Sequence, residues 1–252
     1  MKRLLLALLF MLLVVSAQAQ SNDLLATAAQ AEIAYQNADY AAAADLYTTL
    51  IEAGWQNSTL FFNLGNTYYH QGDWGRALLN YRLAQRITPR DADLNHNLAL
   101  VRAQRVEIQG DEVDLIAGLA EWSTGLVTLP ELQCLALLLW FGWFGRLSVA
   151  VIRPAWGRRL RVSLAISGGV VLLTLVLLGS RLWMLANRPA GVVVKDVVSV
   201  MSGPGADYLD LFALHSAAEL HLIDARAGWL RFSLPDGRQG WLPEIAVERV
   251  ER

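Results

Sequence analysis

The chain predicts a multidomain protein: an all-α repeat superhelix, a transmembrane α-hairpin and a small all-β barrel, in that order. Three observations carry this. A helical-hairpin pattern with a 34-residue period fills the N-terminal part. Two long apolar runs, joined by an arginine-rich stretch, lie in the middle. Residues 191–252 break into short alternating runs punctuated by glycine and proline. Hydrophobic residues make up 54% of the 252 and mean hydropathy is +0.32, above ordinary soluble usage, which points to membrane segments.

The helical element is clearest from Ser58 to Pro89. Leu64, Gly65 and Tyr68 share one helix face, and Ala77, Tyr81 and Ala84 share a face of the next. Gly72-Asp73 makes the turn and Pro89 ends the unit. Gly65 and Ala77 are small where two backbones must approach, and Tyr68 and Tyr81 fill the space beside them. These positions resemble the tetratricopeptide repeat (TPR) family, with Phe61 where tryptophan is commonest. One such unit cannot bury its apolar face alone, so neighbours are expected. Stepping back 34 residues finds Ala43, Tyr47 and Tyr40 in the slots of Ala77, Tyr81 and Trp74, and Ala31 in that of Gly65. Stepping forward finds Leu98 and Ala99 but no second helix of the pattern. Residues 20–107 therefore read as two repeats and a capping helix, Ala92 to about Glu107.

Met1 to Ala19 has a Lys2-Arg3 start, an apolar run and Ala17-Gln18-Ala19, the plan of a secretory signal cleaved after Ala19. Residues 108–128 read as a linker. The first apolar run spans 129–152; Thr128 and Glu131 have capping-box spacing, with Pro130 in the first turn. The second spans 162–185, uncharged from Val162 to Ser180. Between them, residues 153–161 hold four arginines and read as a cytoplasmic basic loop. Both ends of the hairpin then lie outside the cytoplasm, in agreement with the signal. Cys134, the single cysteine, excludes an intramolecular disulfide and is expected to be buried and inert.

After a linker at 186–190, strands are expected at Gly191–Lys195, Val198–Val200, Glu219–Ile223 and Trp229–Leu234, with a loop at Ser202–Gly205 and a hairpin turn at Pro235-Asp236-Gly237. The pieces VSVMSGPGADY, GWLRF and DGRQGWLP resemble a bacterial SH3 (SH3b) domain, with Met201 where that family usually has arginine. The order of modules, and the run DADLNHNLALVRAQRV after the repeat, resemble the Bat aerotolerance operon E proteins. That resemblance implies a cell-envelope protein of the bacterial inner membrane, two-pass, with both soluble parts on the periplasmic side. It also implies work beside membrane-anchored von Willebrand A-domain proteins and a MoxR-type ATPase.

No catalytic chemistry emerges. The four histidines lack H-x-x-x-H or H-x-E spacing, and no phosphate-binding glycine motif occurs. Asp91 and Asp93 read as helix N-terminal charges. The expectation is no enzyme, no metal, no cofactor and no nucleic-acid partner. Binding remains. The concave groove of the repeats would be lined by Phe62, Asn63, Asn66, Tyr69 and His70, extended by His96 and Asn97, and would hold a partner protein. A second candidate face, Tyr208, Trp229 and Trp241, would bind peptidoglycan, although both tryptophans fit equally well as barrel core. The lipid bilayer is the third partner.

Overall fold

The computed structural model describes residues 23–106, 123, 126–187 and 190–250. The expected signal segment and most of the 108–128 linker lie outside them. Five helices come first: α1 (residues 23–36), α2 (Tyr40–Glu52), α3 (Ser58–Gln71), α4 (Trp74–Ile87) and α5 (Ala92–Ala103). Their starts are set by side-chain caps. Asp39, Asn57, Asp73 and Asp91 each accept a backbone N–H three residues on, satisfying a donor the helix leaves orphaned. Gly72 ends α3 in the left-handed conformation, φ 77°. The repeat spacing packs as expected: Ala31, Ala43, Ala77 and Ala84 are fully buried, and Tyr47 and Tyr81 nearly so. A Cβ on Gly65 would stand 2.6 Å from the Tyr81 ring, so α3 and α4 touch there only because the side chain is missing.

Two long helices follow, α6 (Leu129–Ile152) and α7 (Pro154–Asn187), packed antiparallel. The capping box at Thr128 and Glu131 forms. The stretch 153–161 is not a loop: the chain reverses at Arg153 and is helical from Pro154, whose fixed φ suits a first helical position. Both helices are long and apolar enough to cross a membrane. Only 6% and 11% of their apolar windows are buried within the chain, unlike the core helices of a soluble protein. Cys134 is exposed on α6 rather than buried, because Leu132 and Ala136 alone of that helix are enclosed.

The C-terminal region is an antiparallel sheet of β1 (Ala190–Val193), β2 (Val197–Met201), β3 (Asp210–His215), β4 (Glu219–Arg226), β5 (Trp229–Ser233), β6 (Gln239–Pro243) and β7 (Val247–Arg249). Their order is β3-β2-β6-β5-β4-β1-β7. The expected closed SH3-like barrel is not what the pairing shows. β3 pairs with β2 and three-residue β7 with β1, so the sheet is open, although Leu214 of β3 and Val247 of β7 enter the same core as Leu220, Phe232 and Leu242. The Pro235-Asp236-Gly237 turn forms, with Gly237 at φ 85° and Asp236 accepting the Arg238 N–H at 3.0 Å.

This sheet docks on α4. The Gly75 N–H donates to Ser216 Oγ at 2.9 Å, and a Cβ there would meet Val193 O at 2.5 Å and Val194 Cα at 2.8 Å. Arg86 donates to the Val250 carbonyl at 2.7 Å. Val192, Ala217 and Val250 belong to the helical core cluster, so apolar packing continues across the junction. Above it, Glu219 of β4 receives Arg102 of α5 at 2.8 and 3.1 Å, with Arg105 at 3.6 Å and Arg82 of α4 at 3.9 Å. Burial alone would raise the Glu219 pKa; the three guanidinium groups outweigh it and hold the carboxyl below its ordinary value.

Candidate functional site: the concave groove

The first helix of each repeat lines the concave side. There α1, α3 and α5 enclose a pocket of about 230 Å³ bounded by Tyr35, Asn66, Tyr69, His70, Tyr81, Asn97 and Leu100. At its floor the Tyr81 hydroxyl donates to Asn66 Oδ1 at 2.7 Å, and Asn97 Nδ2 donates to the same oxygen at 2.9 Å. One carbonyl oxygen thus takes two donors and fixes the Asn66 amide, leaving its NH2 and the Asn97 carbonyl, among the described residues, as a free donor–acceptor pair. On the wall His70 stacks flat on Tyr40, centroids 4.8 Å apart, and meets Tyr69 and Tyr35 edge-on at 6.0 and 5.8 Å. Tyr69 in turn packs against Trp74 at 5.2 Å. These contacts hold the aromatic rings in place before any partner arrives.

Burial raises the pKa of Tyr81 and of Tyr35. Tyr47, behind the pocket, donates to Glu32 at 3.2 Å and is pushed up to about 12 by burial first and the Glu32 charge second. The phenols are therefore protonated donors throughout the physiological range. No residue bounding the pocket is an acid, a lysine or an arginine.

Of the seven groove residues expected from sequence, Asn66, Tyr69, His70 and Asn97 bound the pocket. Phe62 instead leans on Tyr81, 5.9 Å between rings, and packs with the core. Asn63 is half-buried, and its carbonyl accepts the Thr67 hydroxyl. His96 is exposed on α5, away from the pocket lining. Tyr35, Tyr81 and Leu100 complete the lining. Tyr35 lies 34 residues before Tyr69 and Leu100 lies 34 after Asn66, so the repeat period itself points to both.

The second candidate face divides differently from expectation. Trp229 pairs with Pro243, and Trp241 with both Arg231 and Met201. Directly paired residues share a face, and Leu230, Phe232 and Leu242 hold the inner one. Both tryptophans therefore point away from the Leu230, Phe232 and Leu242 side of the sheet, and Trp241 is nonetheless buried there, in line with a packing role. Trp229 is half-buried; Trp241 is 9% exposed, with the Arg226 guanidinium 6.0 Å from its ring. Tyr208 sits in the β2–β3 connection with its ring against Gly203, where a Cβ would clash at 2.3 Å.

Residues 58–91, comprising α3, α4 and the turn into α5, match the family model of the tetratricopeptide repeat. No curated protein sequence matches the chain. The match assigns residues 58–91 to a repeat class whose stacked helices build extended concave surfaces.

Proposed function

We propose that the protein is a membrane-anchored scaffold of the bacterial cell envelope that works by binding, not catalysis, and holds a partner protein in its tetratricopeptide groove. The observation that carries this reading is the division of the solenoid. Its α4 face is covered by the chain's own sheet, whereas the concave side keeps an open pocket with a free amide donor–acceptor pair and immobilised aromatic rings. Helices α6 and α7 serve as the anchor. Two crossings return the chain to the side it left, and the contact between α4 and β1 supports this reading. With the arginines of 153–161 retained in the cytoplasm, both soluble regions face the periplasm of the inner membrane. The module order supports a place in a Bat-type aerotolerance complex, with von Willebrand A-domain membrane proteins as partners and the SH3b-like sheet as a second contact.

The test is in-cell photo-crosslinking from position 69, with mass spectrometry of the adducts. Adducts to membrane-anchored envelope proteins are expected; none at all would remove the groove from consideration.

A second reading, peptidoglycan binding, is favoured by the outward placement of half-buried Trp229 and by exposed Tyr208. It requires retention on isolated sacculi that Trp229→Ala abolishes while the sheet stays folded.

A further inference from the structure

Arg181 is left unexplained by the fold and by the groove. It lies near the end of α7, inside the apolar window Leu160–Met184, and is 4% exposed. Its Nε donates to Ser123 Oγ at 2.8 Å, yet its Nη2 is enclosed with no hydrogen-bond partner. A guanidinium carries five N–H donors and stays charged at any physiological pH, so an enclosed, unsatisfied one is costly unless something anionic completes it.

A carboxylate stands at the same level without serving it. Trp143 donates to the Leu164 carbonyl at 3.0 Å and lies over Gly168, which sets the register of the antiparallel pair. Counted twelve residues along each helix from the Trp143–Gly168 contact, Glu131 comes level with Ser180, next to Arg181. Glu131 is taken: it accepts the Thr128 N–H at 2.8 Å and Arg90 at 2.7 Å. These capping and ion-pair groups mark the polar end of the hairpin.

Between the same helices runs an apolar groove of about 500 Å³ lined by Gln133, Ala136, Leu137, Trp140, Leu175 and Leu178. Gln133 and Leu178 share one level by the same register, one turn from Arg181. Trp140 and Leu175 lie deeper in the apolar windows. From the helix ends inward the order is cation, amide, hydrocarbon slot, the order of parts in a membrane phospholipid.

We propose that this groove is a binding site for one anionic phospholipid, its phosphate on Arg181 and an acyl chain along Leu137, Trp140, Leu175 and Leu178. The site rests on α6 and α7 spanning the membrane. Carbonate extraction of membranes carrying the full chain is therefore the first step; protein in the supernatant would remove the anchor reading and this site with it.

Native mass spectrometry of the delipidated full chain in detergent then tests the site alone. The probes are phosphatidylglycerol, phosphatidylcholine of identical acyl chains, and inorganic phosphate. One phosphatidylglycerol is expected to remain bound, at least about tenfold more tightly than phosphatidylcholine, with phosphate alone not retained. Arg181→Gln should erase the headgroup preference and Arg181→Lys keep part of it. Leu178→Trp, which fills the slot and spares the cation, should lower retention of both lipids. Equal binding of the two lipids by the unaltered protein, or a preference that survives Arg181→Gln, overturns the proposal, as does retention of free phosphate equal to that of the lipid. Should Arg181→Gln fail to fold, the headgroup comparison and Leu178→Trp still decide.

Discussion

On its outer side α4 commits Gly75, Arg82 and Arg86 to the sheet, and the fit there is made at the level of backbone: an N–H on a serine oxygen, a missing Cβ over a carbonyl. On the concave side Asn66, Tyr81 and Asn97 are committed to one another, and the fit is left to side chains that keep spare hydrogen-bonding capacity. A surface made for a permanent neighbour uses the groups that cannot move. The concave surface uses groups that are held still yet keep unused hydrogen-bonding capacity.

The contrast can be broken most forcefully at Glu219. Glu219→Gln keeps the shape but removes the charge shared by Arg82, Arg102 and Arg105, and should cost about 2–3 kcal/mol, below a fully buried ion pair because these side chains are partly exposed. The readout is a lower thermal midpoint for the full chain, with faster hydrogen exchange in β1 and β4. The same group gives the junction a pH dependence. Because the Glu219 pKa is depressed in the folded chain, its contribution is whole above its ordinary value of 4.5 and is lost as pH falls through the lowered one. A junction that weakens between pH 8 and 6 would contradict the assignment.

Gly75→Ala comes next, at about 1–3 kcal/mol, since the atoms it meets in β1 are main chain and cannot swing aside. Its mark is exchange confined to the junction, with the groove's amides unchanged. Tyr81→Phe removes one hydrogen bond at the pocket floor and should cost about 1 kcal/mol, together with a fall in crosslinking from position 69. Smallest in stability is Asn97→Ala, at about 0.5–1 kcal/mol for its half-exposed bond to Asn66. Its crosslink yield should nonetheless drop severalfold; an unchanged yield would show that the amide pair reads nothing.

The repeat was legible because its residues recur at fixed spacing, and each small residue has one packing reason. Gly65 must be small because Tyr81 lies on it. The groove was half legible. Asn66 and Asn97 follow from helix facing, while Tyr35 and Leu100 needed the 34-residue period applied to the lining as well as to the core. In the sheet, alternation could have placed the tryptophans: Leu230 and Phe232 point inward, so Trp229 and Arg231 between and beside them point out. β3, with the sequence DLFALH, carries mixed polarity and no turn signal of its own, and the open edge of the sheet is written in no single strand. The junction was not legible at all. Glu219 and Arg102 are 117 residues apart, with two long apolar helices between them, and no period relates them.

That separation has a consequence in time. Gly75 meets Ser216 across 141 residues of chain. A ribosome adding roughly 5–20 residues per second needs about 7–28 s to cover that distance. For that interval the solenoid is finished on one side and bare on the other, and two long apolar helices are made before the covering arrives. The sheet is thus made after the surface that it seals. Any delay in completing the sheet leaves an apolar flank of the solenoid uncovered, where holding chaperones and proteases compete for it.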